Sequence, residues 1–435
     1  MRFRTARQAE DYLLGFVNYE ALARYQRTAR THDLRRFAAR LADMGWDPHS
    51  VPAVHVGGTN AKGTVAHLIE RILRAGGERT GLYTSPHLHT MRERVRVNGR
   101  SISARGFAEA VSIISEHFSA EPAAGFRTTF EHLTALALLH FQNERVSRAV
   151  VEVGLGGRLD ATNVLPPGPV VLTPISIDHR AVLGRTVGRI AADKAFILKR
   201  GGHAFVMPQP PTALSAIRSR LVGEGMSATM VREAVQVVLE RADTDGGVFA
   251  VRGRENYGRI ATRLLGAHQT DNIAAAVAVA EALLPRPVAK RAVARGLRDA
   301  CVPGRLEVVR IGGRHVLFDG GHNPGAARAV AAAVRLHFPG ARVGMLVGMA
   351  IDKDHRAFFK ALTGLPQVLV FTRAAGVRSA PPERLAQRSG RVGRCTETVL
   401  EGLDRALTLK VDVLLVAGSF LVAAEARQAL GLGPE

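Results

Sequence analysis

One arrangement recurs along the chain and narrows its fold at once. A short β-branched run is followed by a glycine-bearing turn and then by an Ala/Leu/Arg-rich stretch with helical spacing. Strand candidates fall at 52–57, 79–84, 148–154, 169–175 and 202–207, with helical patterns between most of them. Strands that alternate with helices run parallel, because each helix carries the chain back across a face of the sheet. The expected class is α/β, with a mostly parallel sheet covered on both faces. After residue 242 the stretch "DTDGGVFAVRGRENYGRIATRLLG" breaks the rhythm and predicts a small antiparallel ribbon. A second α/β unit, Rossmann-like, begins near "VPGRLEVV", with strands at 306–311, 314–318, 343–347, 367–372 and 412–417 and helices at 324–337 and 420–430. The Pro/Gly-bearing segment 299–304 is the best linker, which divides the chain into domains 1–298 and 299–435.

Composition excludes several classes. The 435 residues are 46% hydrophobic and 22% charged, the balance of an ordinary globular protein. No run approaches 18 apolar residues, and the N-terminus lacks an apolar signal core, so neither a membrane span nor export is expected. Two cysteines, Cys301 and Cys395, cannot build a disulfide framework, which fits a cytoplasmic chain. The net charge of +21 comes from 52 Arg against 7 Lys, scattered without a basic tail or an aromatic stripe. An arginine-biased surface is the leading reading, attraction of an anionic substrate the second and nucleic acid the last. Lysine is therefore not the default cation of this chain, and each one is informative.

The first unit opens with "VHVGGTNAKGTVAHLIERIL", an apolar strand, a glycine-rich loop and a helix whose Val65, Leu68, Ile69, Ile72 and Leu73 share one face. Such a loop aims backbone N–H groups at one point, where a polyphosphate can sit. Lys62 would reach the terminal phosphate oxygens, and Thr64 would face a bound magnesium ion. The strict phosphate-loop consensus wants Gly before the lysine and Ser/Thr after it; Ala61 and Gly63 stand there instead.

"GTNAKGT" resembles the GTNGKGS loop of the folylpolyglutamate synthase/dihydrofolate synthase family, within the Mur ligase superfamily. There Gly63 fits and only Ala61 departs. The likeness continues in order through "YTSPHL", "TTFEHLTALA", "EVGLGGRLDATN", "SIDHRAVLGRTVGRIAADKAFILKRG", "LLGAHQTDN", "PGRLEVV", "DGGHNPGA", "GMAIDKD" and "VAGSF". The resemblance implies an ATP-dependent ligase that phosphorylates a folate or dihydropteroate carboxylate and joins it to L-glutamate through an acyl phosphate. It implies ATP and two Mg2+ ions, no nucleic acid or membrane partner, and a monomer.

On this resemblance Gly58, Thr59, Asn60, Ala61, Lys62, Gly63, Thr64, Asn272, Arg305 and Asp319 would hold ATP. Ser85, Glu152, His179 and Lys194 would hold the metals, Lys194 as a carbamate, which a permanently protonated arginine could not form. Thr84, Leu159, Asp160 and Ala161 would meet the pterin substrate. His322, Gly418 and Ser419 would meet glutamate. Lys62, Lys194, His179 and His322 are the catalytic candidates. Beside Ala61, the departures are Gly57, Gly321, Asp193 and Phe196; Phe196 replaces a small residue and is expected to narrow the space beside the metals or the pterin. A ligase that has left folate, a phosphate-loop ATPase acting on nucleic acid, and a catalytically dead binding protein are the competing readings.

Overall fold

The structure, a computed structural model, describes residues 1–19, 22, 32–118, 125–285, 287–362 and 364–433. Its first sheet comprises β1 (Ala53–Gly57), β2 (Thr80–Tyr83), β3 (Val95–Val97), β4 (Arg100–Ser101), β5 (Arg148–Glu152), β6 (Pro169–Leu172), β7 (His203–Val206) and β8 (Ser227–Met230). They lie in the order β4-β3-β2-β5-β1-β6-β7-β8, parallel from β2 to β8. The ribbon is β9 (Gln236–Asp243), β10 (Gly246–Arg252) and β11 (Asn256–Thr262), antiparallel throughout. The last sheet comprises β12 (Arg305–Ile311), β13 (Arg314–Asp319), β14 (Val343–Val347), β15 (Val368–Phe371), β16 (Arg394–Cys395) and β17 (Val413–Ala417). Its order is β12-β13-β17-β14-β15-β16, with only β12 antiparallel to its neighbour.

The α/β class and its antiparallel insert are as expected, with differences that have physical reasons. β6 stops at Leu172 rather than 175, because Pro174 cannot donate to a ladder. β8 escaped the reading because "SATM" lies at the sheet edge, half exposed, and has no apolar run to betray it. β9 starts ahead of the expected ribbon because its exposed positions carry Gln236, Val238, Glu240 and Arg241, which blur the alternation.

The helix Lys62–Ala75 buries Val65, Leu68, Ile69, Ile72 and Leu73 completely against the first sheet and the Ala-rich helix Gln269–Leu283. Each such side chain contributes about 1.5–3 kcal/mol by leaving water, so the phosphate loop is anchored at its exit by a stiff helix. A further tie joins the ribbon and the segment after it to the helices of the last sheet. Leu265 is buried in the core of the last sheet's helices, beside Ala327 and Val330. The next amide, Gly266 N–H, donates to His337 Nε2 at 2.8 Å, and His337 Nδ1 contacts Asp243 O at 2.7 Å. Because Nε2 accepts, the proton sits on Nδ1 and donates to the carbonyl. Burial lowers the His337 pKa, in keeping with this neutral ring. Among the described residues no helix is long and apolar enough to cross a membrane.

Candidate active site

Four adjacent parallel strands, β2, β5, β1 and β6, end side by side, and the segments leaving their carboxyl ends form one wall of a cavity of about 800 Å³. The facing wall comes from the segments that follow β13, β14, β15 and β17 of the last sheet. Ligands of α/β sheets bind at this edge because helix N-termini and loop amides converge there. Of the residues expected in the site, all line this cavity except Gly63 and Thr84.

The loop after β1 behaves partly as expected. The amides of Thr59 and Asn60 donate to Pro174 O at 3.2 and 3.1 Å, so these two are occupied within the protein. The first bond of the helix ladder is Val65 N–H to Ala61 O, which leaves the amides of its first turn without a ladder partner. No side chain caps this 14-residue helix and no acidic residue stands in its first turn. An anion is what such an end attracts. Ala61 adopts φ 66°, the left-handed region where a Cβ costs about 1–2 kcal/mol. Its methyl packs against the main core, which offsets part of that strain. Gly58, at φ 137°, is required because any Cβ would overlap Thr173. At Gly57 the space a side chain would take is filled by Ile197.

Glu152 closes β5 beneath this helix end, 2% exposed. Its Oε2 accepts the Ser85 amide at 3.0 Å, and its Oε1 lies 3.9 Å from Lys62 Nζ. Burial pushes its pKa up, against the pull of Lys62 and Arg305. A Cβ at Gly63 would stand 3.3 Å from Arg305 Nη2 and 3.4 Å from Glu152 Oε2. Arg305 thus crosses from β12 to the phosphate loop, its guanidinium stacked 4.1 Å from the Phe420 ring centroid. Asp319, paired in register with Arg305, accepts the amides of Leu306 and Gly321 at 2.9 and 2.8 Å. Burial raises the Asp319 pKa despite these donors. A Cβ at Gly321 would come 2.5 Å from Asp319 Oδ1, so this departure relieves crowding.

Lys194 ends a helix on the opposite side of the loop, 4% exposed, and donates to Gly58 O at 2.7 Å. Burial, followed by the charge of Lys62, lowers its pKa to about 7. His179 holds φ 48°, a strained left-handed conformation for a residue with a side chain. Burial, followed by the charge of Lys353, lowers its pKa well below the usual value.

The residue before it, Asp178, was not singled out from sequence. Its carboxylate meets Lys353 Nζ at 2.6 Å, His322 Nε2 at 3.3 Å and Asn323 Nδ2 at 3.3 Å, all from the last sheet's loops. Burial opposes its ionisation, yet His322 and Lys353 hold its pKa well below the carboxylate range. Asn323 also donates to Asn60 Oδ1 at 2.9 Å, and Asn60 donates to Ser176 Oγ at 3.0 Å. The quoted motifs contain Asp178, Lys353 and Asn323, but nothing in their spacing says that they meet.

Several expected contacts have structural duties. Asp160 lines the cavity at 1% exposure, and its carboxylate accepts Leu155 N–H at 2.8 Å and Thr162 N–H at 3.1 Å, holding its own turn. Leu159 and Ala161 flank it in the cavity wall, which Thr128, Thr129, Phe130 and Glu131, quoted from sequence without a role, also line. Thr84 is buried behind the wall, its amide bonded to Arg94 O. Asn272 is buried and donates to Gln269 Oε1 at 2.7 Å. Ser419 caps the helix Phe420–Ala429 by accepting Val422 N–H at 3.1 Å, and Gly418 holds φ 103° against Gly348 O. Phe196 does not narrow the site. It is 36% exposed, outside the cavity wall, with the guanidinium carbons of Arg220 and Arg158 at 4.6 and 5.7 Å from its centroid.

Comparison with known proteins matches residues 56–280 to the Mur ligase middle domain and residues 304–420 to the Mur ligase glutamate ligase domain. A curated relative from Halobacterium salinarum, named "Probable bifunctional folylpolyglutamate synthase/dihydropteroate synthase", is 36% identical over 91% of this chain and 50% of its own length. The chain spans about half the length of that relative and of its Haloferax volcanii counterpart. The dihydrofolate synthase/folylpolyglutamate synthase of Mycobacterium tuberculosis is 30% identical over 95% of this chain and 93% of its own. A crystal structure of the Mycobacterium tuberculosis folylpolyglutamate synthase, complexed with ADP and AMPPCP, superposes with a TM-score of 0.87 at 29% identity, covering 99% of both chains. With the middle-domain match alone spanning half the residues and the glutamate ligase domain following it in order, this chain belongs to the folylpolyglutamate synthase/dihydrofolate synthase family of Mur ligases.

Proposed function

We propose that the protein is an ATP-dependent carbon–nitrogen ligase that adds L-glutamate to the carboxylate of a folate or dihydropteroate through an acyl phosphate. The observation that carries this reading is the uncapped helix end at Ala61–Thr64, with Lys62 and the buried Glu152 beneath it and Arg305 reaching it from the facing sheet. A terminal phosphoryl group there meets fixed amide dipoles and two cations, which is where charge develops during transfer to a carboxylate oxygen. The nucleotide complexes of the Mycobacterium tuberculosis structure support ATP as the phosphoryl donor. Gly58–Thr64, Asn272, Arg305 and Asp319 would contact it. The 1–298 unit would hold ATP and the pterin substrate, and the 299–435 unit would complete the ATP site and bring His322, Gly418 and Ser419 to glutamate.

The donor set fits magnesium. Ser85 and the carboxylate of Glu152 are hard oxygen donors, as Mg2+ prefers. His179 and Lys194 fit a second ion once Lys194 is a carbamate, which requires the neutral amine that burial provides. The ions would supply charge neutralisation on the phosphates. Lys62 and Arg305 would orient the phosphoryl group, and the two facing walls would align acyl carbon and amine while excluding water. Both halves of the site lie in one chain, which supports a monomeric working unit, and the cysteine content supports a cytoplasmic setting.

The test is direct: protein, Mg-ATP and labelled glutamate with either dihydropteroate or tetrahydrofolate. The expected result is ADP and labelled amide with at least one pterin. Absence of amide with both would falsify the folate assignment, and ATP turnover stimulated by nucleic acid but indifferent to glutamate would replace it.

A further inference from the structure

The carboxylate of Asp178 stands where the two walls of the cavity touch, with its side chain 9% exposed. Three groups from the last sheet's loops converge on it: the Lys353 ammonium at 2.6 Å, His322 Nε2 at 3.3 Å and the Asn323 Nδ2 donor at 3.3 Å. The His179 amide donates from the first wall at 2.8 Å. Asn323 joins this cluster to Asn60 of the phosphate loop at 2.9 Å. The carboxylate therefore lies beside the place where the proposed acyl phosphate forms, and it faces open cavity.

A nearly buried carboxylate filled by a primary ammonium has the chemistry of an ammonium receptor: one full charge, directed lone pairs and little competing water. Lys353 is an exchangeable occupant, a compact charge on a flexible four-carbon stem. The ligation reaction brings a second primary ammonium to the same cavity, the α-amino group of the incoming amino acid. Resting on the ligase reading above, we propose that Asp178 is the docking group for the α-ammonium of glutamate, and that the Lys353 ammonium marks the position this group takes. Displacing Lys353 exchanges one ammonium for another at the same oxygen, so the carboxylate keeps a charged partner throughout. The amino nitrogen is thereby held next to the phosphate loop in its protonated resting form, and ligands lacking an ammonium are disfavoured.

The experiment uses the full chain and its D178N and D178E variants, each checked for native circular dichroism and for ATP binding. With Mg-ATP and the accepted pterin, two nucleophiles are compared: glutamate, which must dock as an ammonium, and hydroxylamine, which is uncharged at neutral pH. In D178N the glutamate KM should rise about thirtyfold, the size of a lost charge-assisted hydrogen bond, and this rise should exceed the loss of hydroxamate formation by about tenfold. Glutarate, which is glutamate without the amine, reports recognition directly. Wild type should bind glutamate at least about tenfold better than glutarate, and D178N should lose that preference, with partial recovery in D178E. Loss of both amide and hydroxamate in D178N would overturn the proposal by placing Asp178 in phosphoryl transfer. An unchanged glutamate-to-glutarate ratio would overturn it by leaving only a contact between the two walls. Wild type that forms neither amide nor hydroxamate would instead defeat the ligase reading, a distinct outcome.

Discussion

Lys194 Nζ donates a 2.7 Å hydrogen bond to the carbonyl of Gly58, so a buried lysine is tied to the first residue of the phosphate loop. Burial, and then Lys62, bring its pKa down to about 7. Carbon dioxide adds only to the neutral amine, which predominates above that pH. Protein equilibrated with 13C-bicarbonate should therefore show a carbamate carbon signal that grows as pH rises through about 7 and is absent in K194A. For the uncarbamylated chain the sign of the stability effect follows from the same shift. The unfolded lysine binds more protons between about 7 and the ordinary lysine value of 10.5, so this group's contribution to stability rises with pH across that window.

Ala61 sits at φ 66° in the phosphate loop. A61G should remove about 1–2 kcal/mol of left-handed strain and lose about 0.4–1 kcal/mol to the greater freedom of the unfolded chain. Denaturant unfolding should show a net gain of between about 0 and 1.6 kcal/mol, and calorimetry an ATP affinity changed by no more than about tenfold. A hundredfold gain in turnover would mean that the natural loop is crippled.

Gly63 lies in the first turn of the helix, with Glu152 and Arg305 closing on its Cα. G63A should favour the helix by up to about 1 kcal/mol, yet push the Arg305 guanidinium outward by a few tenths of an ångström while its methyl rests on Glu152. The expected phenotype is a variant at least as stable as wild type whose turnover falls by about tenfold or more, since misplacement near the reacting phosphoryl group is costly. Equal loss of melting temperature and activity would point to packing instead.

Phe196 contacts Arg220 and Arg158 at the surface rather than the cavity. F196A should lower stability by about 0.5–1 kcal/mol, the worth of exposed cation–π contacts. Its kcat and pterin KM should stay within about twofold of wild type. A marked change in pterin KM would return Phe196 to the site.

What could be read in advance follows from range. The α/β class, the strand of Glu152 and the helix face of Val65, Leu68 and Ile72 are legible because side-chain periodicity is local and the core demands it. The phosphate loop is legible because glycines and a lysine must stand at fixed offsets from a helix start. β8 was not legible, because an exposed edge strand has no apolar pattern to show.

By itself the amino-acid order determined two α/β units, a phosphate-loop chemistry and the residue types that serve it. Tertiary structure alone decided that Asp178 receives Lys353, 175 positions away, that Arg305 reaches Gly63, and that Phe196 faces water. Periodicity constrains which face a side chain takes within its own element. Which elements meet is decided by the packing of whole sheets and helices, and no short stretch of chain carries that information.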